Sequence, residues 1–140
     1  MLVLDSDILS IIQRASGAEY DRLAAKLDAA DDDVYVTVIS LEEQMRGWLA
    51  YIAREQSFEK QTLAYLKLRE LVVDFAARAM LDFDATSANE VTRLKKLKVR
   101  IGTMDLKIAA IVLAHNAKLI TRNLIDFRKV PGLVAEDWAR

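Results

Sequence analysis

Apolar positions along the chain switch between two periods. Leu2–Leu4, Val34–Val38 and Lys118–Thr121 are short runs rich in aliphatic and β-branched residues, which reads as buried strands. "MLDF" (Met80–Phe83) is a weaker fourth, and Gly132–Trp138, after Pro131, reads as a last short strand. Between them the period is helical. Asp7–Arg14 and Glu19–Ala29 predict short helices, and Ser40–Arg54 carries Leu41, Met45, Trp48, Leu49 and Ile52 on one face. Ser57–Ala77 predicts a long helix with Leu63, Leu66, Leu68 and Leu71 among its apolar positions. Thr86–Lys98 predicts a helix with a basic end, and Thr103–His115 is apolar nearly all round, as a buried helix would be. Strands alternating with helices predict an α/β fold, a parallel sheet covered on both faces. Ser40–Ala77 contains no strand and is expected to protrude as a helical hairpin, about residues 40–77, within a single domain spanning 1–140.

Composition narrows the chemistry. The chain has 140 residues, 53% of them hydrophobic, enough for a sizeable core. Its net charge of −1 provides no global basic field, so any nucleic-acid contact has to use a local patch. There is no cysteine and one histidine, His115, which excludes disulfides, thiol catalysis and cysteine- or histidine-rich metal sites. Any metal would be held by oxygen, which favours Mg²⁺ or Mn²⁺. The N-terminal "MLVLDSDILS" breaks with charge after four residues, so no signal peptide is expected. No apolar run approaches the ~20 residues of a membrane span. A soluble, cytoplasmic protein without a membrane partner is the expectation.

Three acids recur in one structural position. Asp5 follows the first strand, Glu43 is expected in the first turn of the helix after the second, and Asp105 in the first turn of the helix before Lys118–Thr121. In a parallel α/β sheet, strand C-termini and helix N-termini share the ligand-binding edge. The three are therefore predicted to converge there. Singly, each has a plainer role. Asp5 can cap a helix. Ser40 and Glu43 have capping-box spacing, and Asp105 suits a positive helix end. Jointly, clustered carboxylates repel one another, and a divalent cation relieves that repulsion. "TRNLIDF" adds Thr121, Asn123 and Asp126 near the same edge, with a turn role for Asn123 equally open.

These blocks resemble the PIN-domain ribonucleases, of the type found as VapC toxins in bacterial toxin–antitoxin pairs. "VLDSDIL" is similar to the family's opening strand and first metal-binding aspartate, at Asp5. "VTVISLEEQMRG" carries its glutamate, at Glu43. "IGTMDLKIAAIVLAHNAKLITRNLIDFRKVPGL" carries its third acid, at Asp105, and "TRNLIDF" its fourth motif. The likeness runs from about Leu2 to Trp138. It implies a three-layer α/β/α sandwich with four or five parallel strands. Two positions depart from the pattern: Asp7 stands where the family more often has Asn, and Asn123 where many members have a fourth aspartate. The site would then lean on Asp7 or Asp126 for a second ion, or hold one ion only.

The resemblance implies metal-dependent hydrolysis of RNA phosphodiester bonds, with Asp5, Glu43 and Asp105 holding Mg²⁺ or Mn²⁺. Asp126 and Asn123 would complete the site, with Ser6, Asp7 and Thr121 as neighbours. RNA contacts are expected from the basic run Arg93, Lys95, Lys96, Lys98 and Arg100, and from Arg46 and Arg122. The same resemblance implies a homodimer and a cognate antitoxin. The Met45, Trp48, Tyr51 and Ile52 stripe is expected to help form that interface. Two rivals stay open: a D-x-D phosphatase with Asp5 as nucleophile, and a non-catalytic interaction module of the same fold.

Overall fold

The computed structural model describes all residues, Met1–Arg140. Five strands form one parallel sheet: β1 (Leu2–Leu4), β2 (Val34–Thr37), β3 (Met80–Leu81), β4 (Lys118–Ile120) and β5 (Val134–Glu136). Their order across the sheet is β3-β2-β1-β4-β5. The chain first winds from β1 toward β3, then returns to the other side of β1 for β4 and β5. The order therefore reverses between β1 and β4, and a doubly wound sheet opens its binding crevice at the carboxyl ends of those strands.

Seven helices surround the sheet: α1 (Ser6–Arg14), α2 (Ala18–Ala30), α3 (Val38–Arg54), α4 (Phe58–Ala76), α5 (Ala85–Lys96), α6 (Thr103–Ala114) and α7 (Leu124–Phe127). Alternation along the strands divides the core in two. Val3 and Leu119 face a cluster with Leu94 of α5 and Leu106, Ile108 and Ile111 of α6. Leu2, Leu4 and Ile120 face the opposite cluster with Ile8, Leu23, Leu71 and Phe75 of α1, α2 and α4. Full burial of such side chains contributes about 1.5–3 kcal/mol each, and it locks the strand register because a one-residue slip would exchange the two faces.

Several boundaries differ from the sequence reading, each for a local reason. Val38 belongs to α3 and not to β2, because the Thr37 hydroxyl accepts from Ser40 N–H at 3.2 Å and caps the helix there. The helix starts earlier than expected, which moves Glu43 from the first turn into the second. The Ser40–Glu43 capping box does not form. "NLIDF" is a short helix, α7, with Asn123 as its cap. The expected hairpin is present as α3 and α4. The first residues of α3 are buried in the core, while much of Gly47–Arg54 is exposed.

The apolar stripe of α3 is not the main exposed surface. Leu41, Met45 and Trp48 pack against the second core cluster, and Trp48 meets Tyr51 edge-on at 6.4 Å. The exposed apolar face belongs to α4: Phe58, Tyr65, Leu66, Val72 and Val73 are each more than half exposed, opposite the buried Ala64, Leu71 and Phe75.

Candidate metal centre

Asp5 leaves β1 and caps α1. Its Oδ1 accepts from Ser6 N–H at 2.8 Å, and its Oδ2 accepts from the Thr121 hydroxyl at 2.7 Å. Thr121 is fully buried just after β4, so the side chain is clamped from both strands at the switch point. Asp5 is only 5% exposed. Burial, with the charge of Asp7 beside it, pushes its carboxyl up to about 7. Both carboxylate oxygens of Asp5 are thus engaged in hydrogen bonds, and little of the side chain is open to solvent.

Asp7 lies in the first turn of α1. Its oxygens accept from the backbone N–H groups of Ile8 at 2.7 Å and Arg122 at 3.1 Å. Burial still raises its pKa. Glu43 reaches in from α3. Ser6 Oγ lies 3.0 Å from Glu43 Oε1 and 2.8 Å from Ser40 Oγ. With one proton per hydroxyl, a relay from Ser40 through Ser6 to Glu43 satisfies all three. Glu43 is raised by burial and by the charges of Asp105 and Asp7. Asp105, in the first turn of α6, is raised by burial and by Asp126 and Asp7.

Asn123 joins the last two acids. Its Nδ2 donates to Asp126 Oδ2 at 3.0 Å and reaches Asp105 Oδ2 at 3.5 Å. Asn123 and Lys129 hold the Asp126 carboxyl below the usual range. Asn123 thus turns amide hydrogens toward the acids and its oxygen toward the Asp126 N–H, 3.4 Å away. Lys129, 3.4 Å from Asp126, is a neighbour that motif reading missed. Its i,i+3 spacing after Asp126 was the only available signal.

The fold therefore brings Asp5, Asp7, Glu43, Asp105 and Asp126 to one edge. No three of them gather around a single point as the side chains are placed. Their mutual influence nevertheless links them: Asp105 raises Asp5 and Glu43, and Asp7 raises Asp5, Glu43 and Asp105. The largest influences on Asp5, Glu43 and Asp105 include neighbouring carboxylates and no cation. An all-oxygen set of mutually repelling carboxylates fits a hard divalent cation.

Three of the basic candidates are already paired. Arg46 binds Glu42 at 2.7 Å, Arg93 binds Glu90 at 2.8 Å, and Arg122 binds Glu19 at 2.6 Å. Lys95, Lys96, Lys98 and Arg100 are exposed without such partners. Beside Asp7, a groove of about 770 Å³ runs between α1, α3 and α4, with Gln13, Gln44, Trp48 and Asp74 among its walls. It touches the acidic edge only at Asp7.

Comparison with known proteins places this architecture. Ribonuclease VapC2 of Rickettsia felis is 28% identical over 137 residues, covering 97% of this chain and 96% of that protein. Among solved structures, VapBC-1 from nontypeable Haemophilus influenzae superposes with a TM-score of 0.73 at 22% identity, over 99% of this chain and 98% of that one. A toxin–antitoxin complex from Klebsiella pneumoniae gives 0.65 at 22%, over 96% of both chains. At those identities the structural likeness concerns the fold. The family model described as "PIN domain" matches residues 2–133, and over that span the acidic edge lies at the sheet's switch point. This chain belongs to the PIN domain family.

Proposed function

We propose that this protein is an endoribonuclease that hydrolyses RNA phosphodiester bonds and serves as the toxin of a toxin–antitoxin pair, the whole chain acting as one PIN domain. The observation that carries this reading is the acidic edge, Asp5, Glu43 and Asp105, in a PIN-domain chain related along nearly its full length to a protein named Ribonuclease VapC2.

Asp5, Glu43 and Asp105 would hold Mg²⁺ or Mn²⁺, with Asp7 and Asp126 as further oxygen donors. Such an ion, when bound, activates water and polarises the scissile phosphate. The chain's own residues prepare that edge. Thr121 and Ser6 fix the Asp5 carboxylate, and Ser6 aims Glu43. Asn123 draws Asp105 and Asp126 together through its amide hydrogens. The acids repel RNA phosphate locally, so cation binding is expected to strengthen substrate binding.

An antitoxin segment fits beside this edge. The groove between α1, α3 and α4 starts at Asp7, and a helix seated there would cover Asp7 at the border of the acidic edge. The apolar outer face of α4 suits a two-fold homodimer. No helix is long and apolar enough to cross a membrane. A cytoplasmic site of action belongs to this reading, with cellular RNA as the proposed substrate.

The test is an RNA-end map after brief incubation of Mn²⁺- or Mg²⁺-loaded protein with total RNA. Discrete new ends that vanish in Asp5→Asn are expected. Ends unchanged by that substitution would assign the cleavage to a contaminant and remove the reading.

A further inference from the structure

The strongest unabsorbed feature is the basic turn between α5 and α6. Four cations, Lys95, Lys96, Lys98 and Arg100, fall within six positions, and no acid occurs between Glu90 and Asp105. All four are exposed, whereas Arg93, one turn earlier, is neutralised by Glu90. The turn also delivers them to the right place. It joins the C-terminal end of α5 to the N-terminal end of α6, whose first turn carries Asp105. Arg100 precedes Asp105 by five residues, so the two backbones are at most roughly 18 Å apart.

Lys98 also has a backbone feature that a substitution can exploit. Its φ is +61°, the left-handed conformation that a Cβ disfavours and glycine adopts freely. Val99 N–H bonds Leu94 O at 3.1 Å and Lys98 N–H bonds Lys95 O at 3.0 Å. That pattern closes a helix with residue 98 at the position where glycine is the usual choice. The α6 terminus has the same pattern, with Ala117 N–H on Val112 O at 3.0 Å, and uses Asn116, an ordinary residue there. At the α5 end a lysine takes this conformation, as Ala15 and Asp31 do at the ends of α1 and α2.

We propose that Lys95, Lys96, Lys98 and Arg100 form a phosphate track that leads single-stranded RNA to the acidic edge beside Asp105. This rests on RNA being the substrate. Exposed, unpaired cations suit backbone phosphates, where they position the strand without reading its sequence. They also offset the repulsion between RNA and the carboxylates, in a chain whose overall charge is −1.

The experiment measures binding of fluorescent single-stranded RNA to the full-length protein in chelator, across a salt series, alongside RNA cleavage by the wild type with Mn²⁺. Replacing all four cations by Gln should weaken binding roughly tenfold or more at ~0.1 M salt. It should also make the slope of log K against log salt shallower by about 2–3, given about 0.7 per phosphate contact for single strands. Lys98→Gly alone should raise the melting temperature by a few degrees while weakening RNA binding, and Lys98→Arg should retain binding. A purely structural lysine would give no binding change on conversion to glycine. A wild type that cleaves RNA while the quadruple Gln variant and Lys98→Gly keep its affinity and salt slope would overturn the track and leave the ribonuclease reading intact. A wild type that neither binds nor cleaves RNA would remove both.

Discussion

Asp5 couples the site to stability. Its carboxyl is raised from 3.8 to about 7 in the fold, so between those values the folded state binds the proton and the unfolded state has released it. The slope of unfolding free energy with pH is then negative. The stabilisation is fully present below about 4 and is lost as pH rises through about 7. For a side chain this buried, the loss is of order 2–4 kcal/mol. Metal-free protein should therefore melt at a lower temperature at pH 7.5 than at pH 5.5, and Asp5→Asn should flatten that dependence and abolish Mg²⁺ or Mn²⁺ binding. Thermal melts in chelator and a calorimetric metal titration check both. A metal affinity equal to wild type in the variant would sink the assignment of Asp5 as ligand. Asn123 and Asp126 carry a paired prediction. Asn123→Asp removes the amide hydrogens that join Asp105 to Asp126 and adds a carboxylate. With metal present it should keep or raise RNA cleavage, whereas Asp126→Ala should lower it severalfold. If Asp126→Ala cleaves RNA as fast as wild type, Asp126 serves only the α7 turn.

At the scale of elements, the start of α3 determines where Glu43 points. Thr37 ends β2, is fully buried, and caps α3 through Ser40 N–H. Thr37→Val keeps the shape and removes the acceptor, leaving a buried N–H without a partner. The expected loss is about 1–2 kcal/mol by denaturant unfolding. Ser40 and Ser6 share the same junction, so cleavage should fall with stability. A variant of wild-type stability would mean that water replaces the Thr37 oxygen. The basic turn after α5 belongs to this scale too, because a helix terminus there sets both the lysine's backbone and its direction.

For the whole molecule, the distribution of exposed apolar surface changes the expectation for assembly. The α3 stripe packs inward at Leu41, Met45 and Trp48, while α4 turns Leu66 and Val73 outward. Trp48→Glu should therefore destabilise the monomer, since it places a charge against the core. Leu66→Glu with Val73→Glu should shift a dimer to a folded monomer and remove the concentration dependence of its melting temperature. Light scattering and thermal melts separate the two effects. A wild type that is monomeric at high concentration would assign the α4 face to another occupant.

The element types were legible in the sequence because period-2 and period-3.6 patterns report burial directly. All five strands and six of the seven helices stand close to where those patterns lie. The placement of Asp5 at the end of β1 and of Asp105 in the first turn of α6 was also legible, whereas Glu43 lies one turn deeper in α3 than its sequence position suggested. The helix α7 was not, because four residues hold barely one turn and carry no period. The start of α3 differs from the sequence reading because the Thr37 hydroxyl, placed there within the second strand, accepts from Ser40 N–H and so caps the helix three residues earlier. Ion pairing of Arg122 with Glu19, 103 positions apart, required the fold to bring β4's end beside α2. So did the clamp of Thr121 on Asp5, across 116 positions. Local sequence determined which elements form and which acids end them. Only the tertiary structure decided which charges are neutralised, which stay free and which apolar face remains outside, because those depend on groups that meet through space.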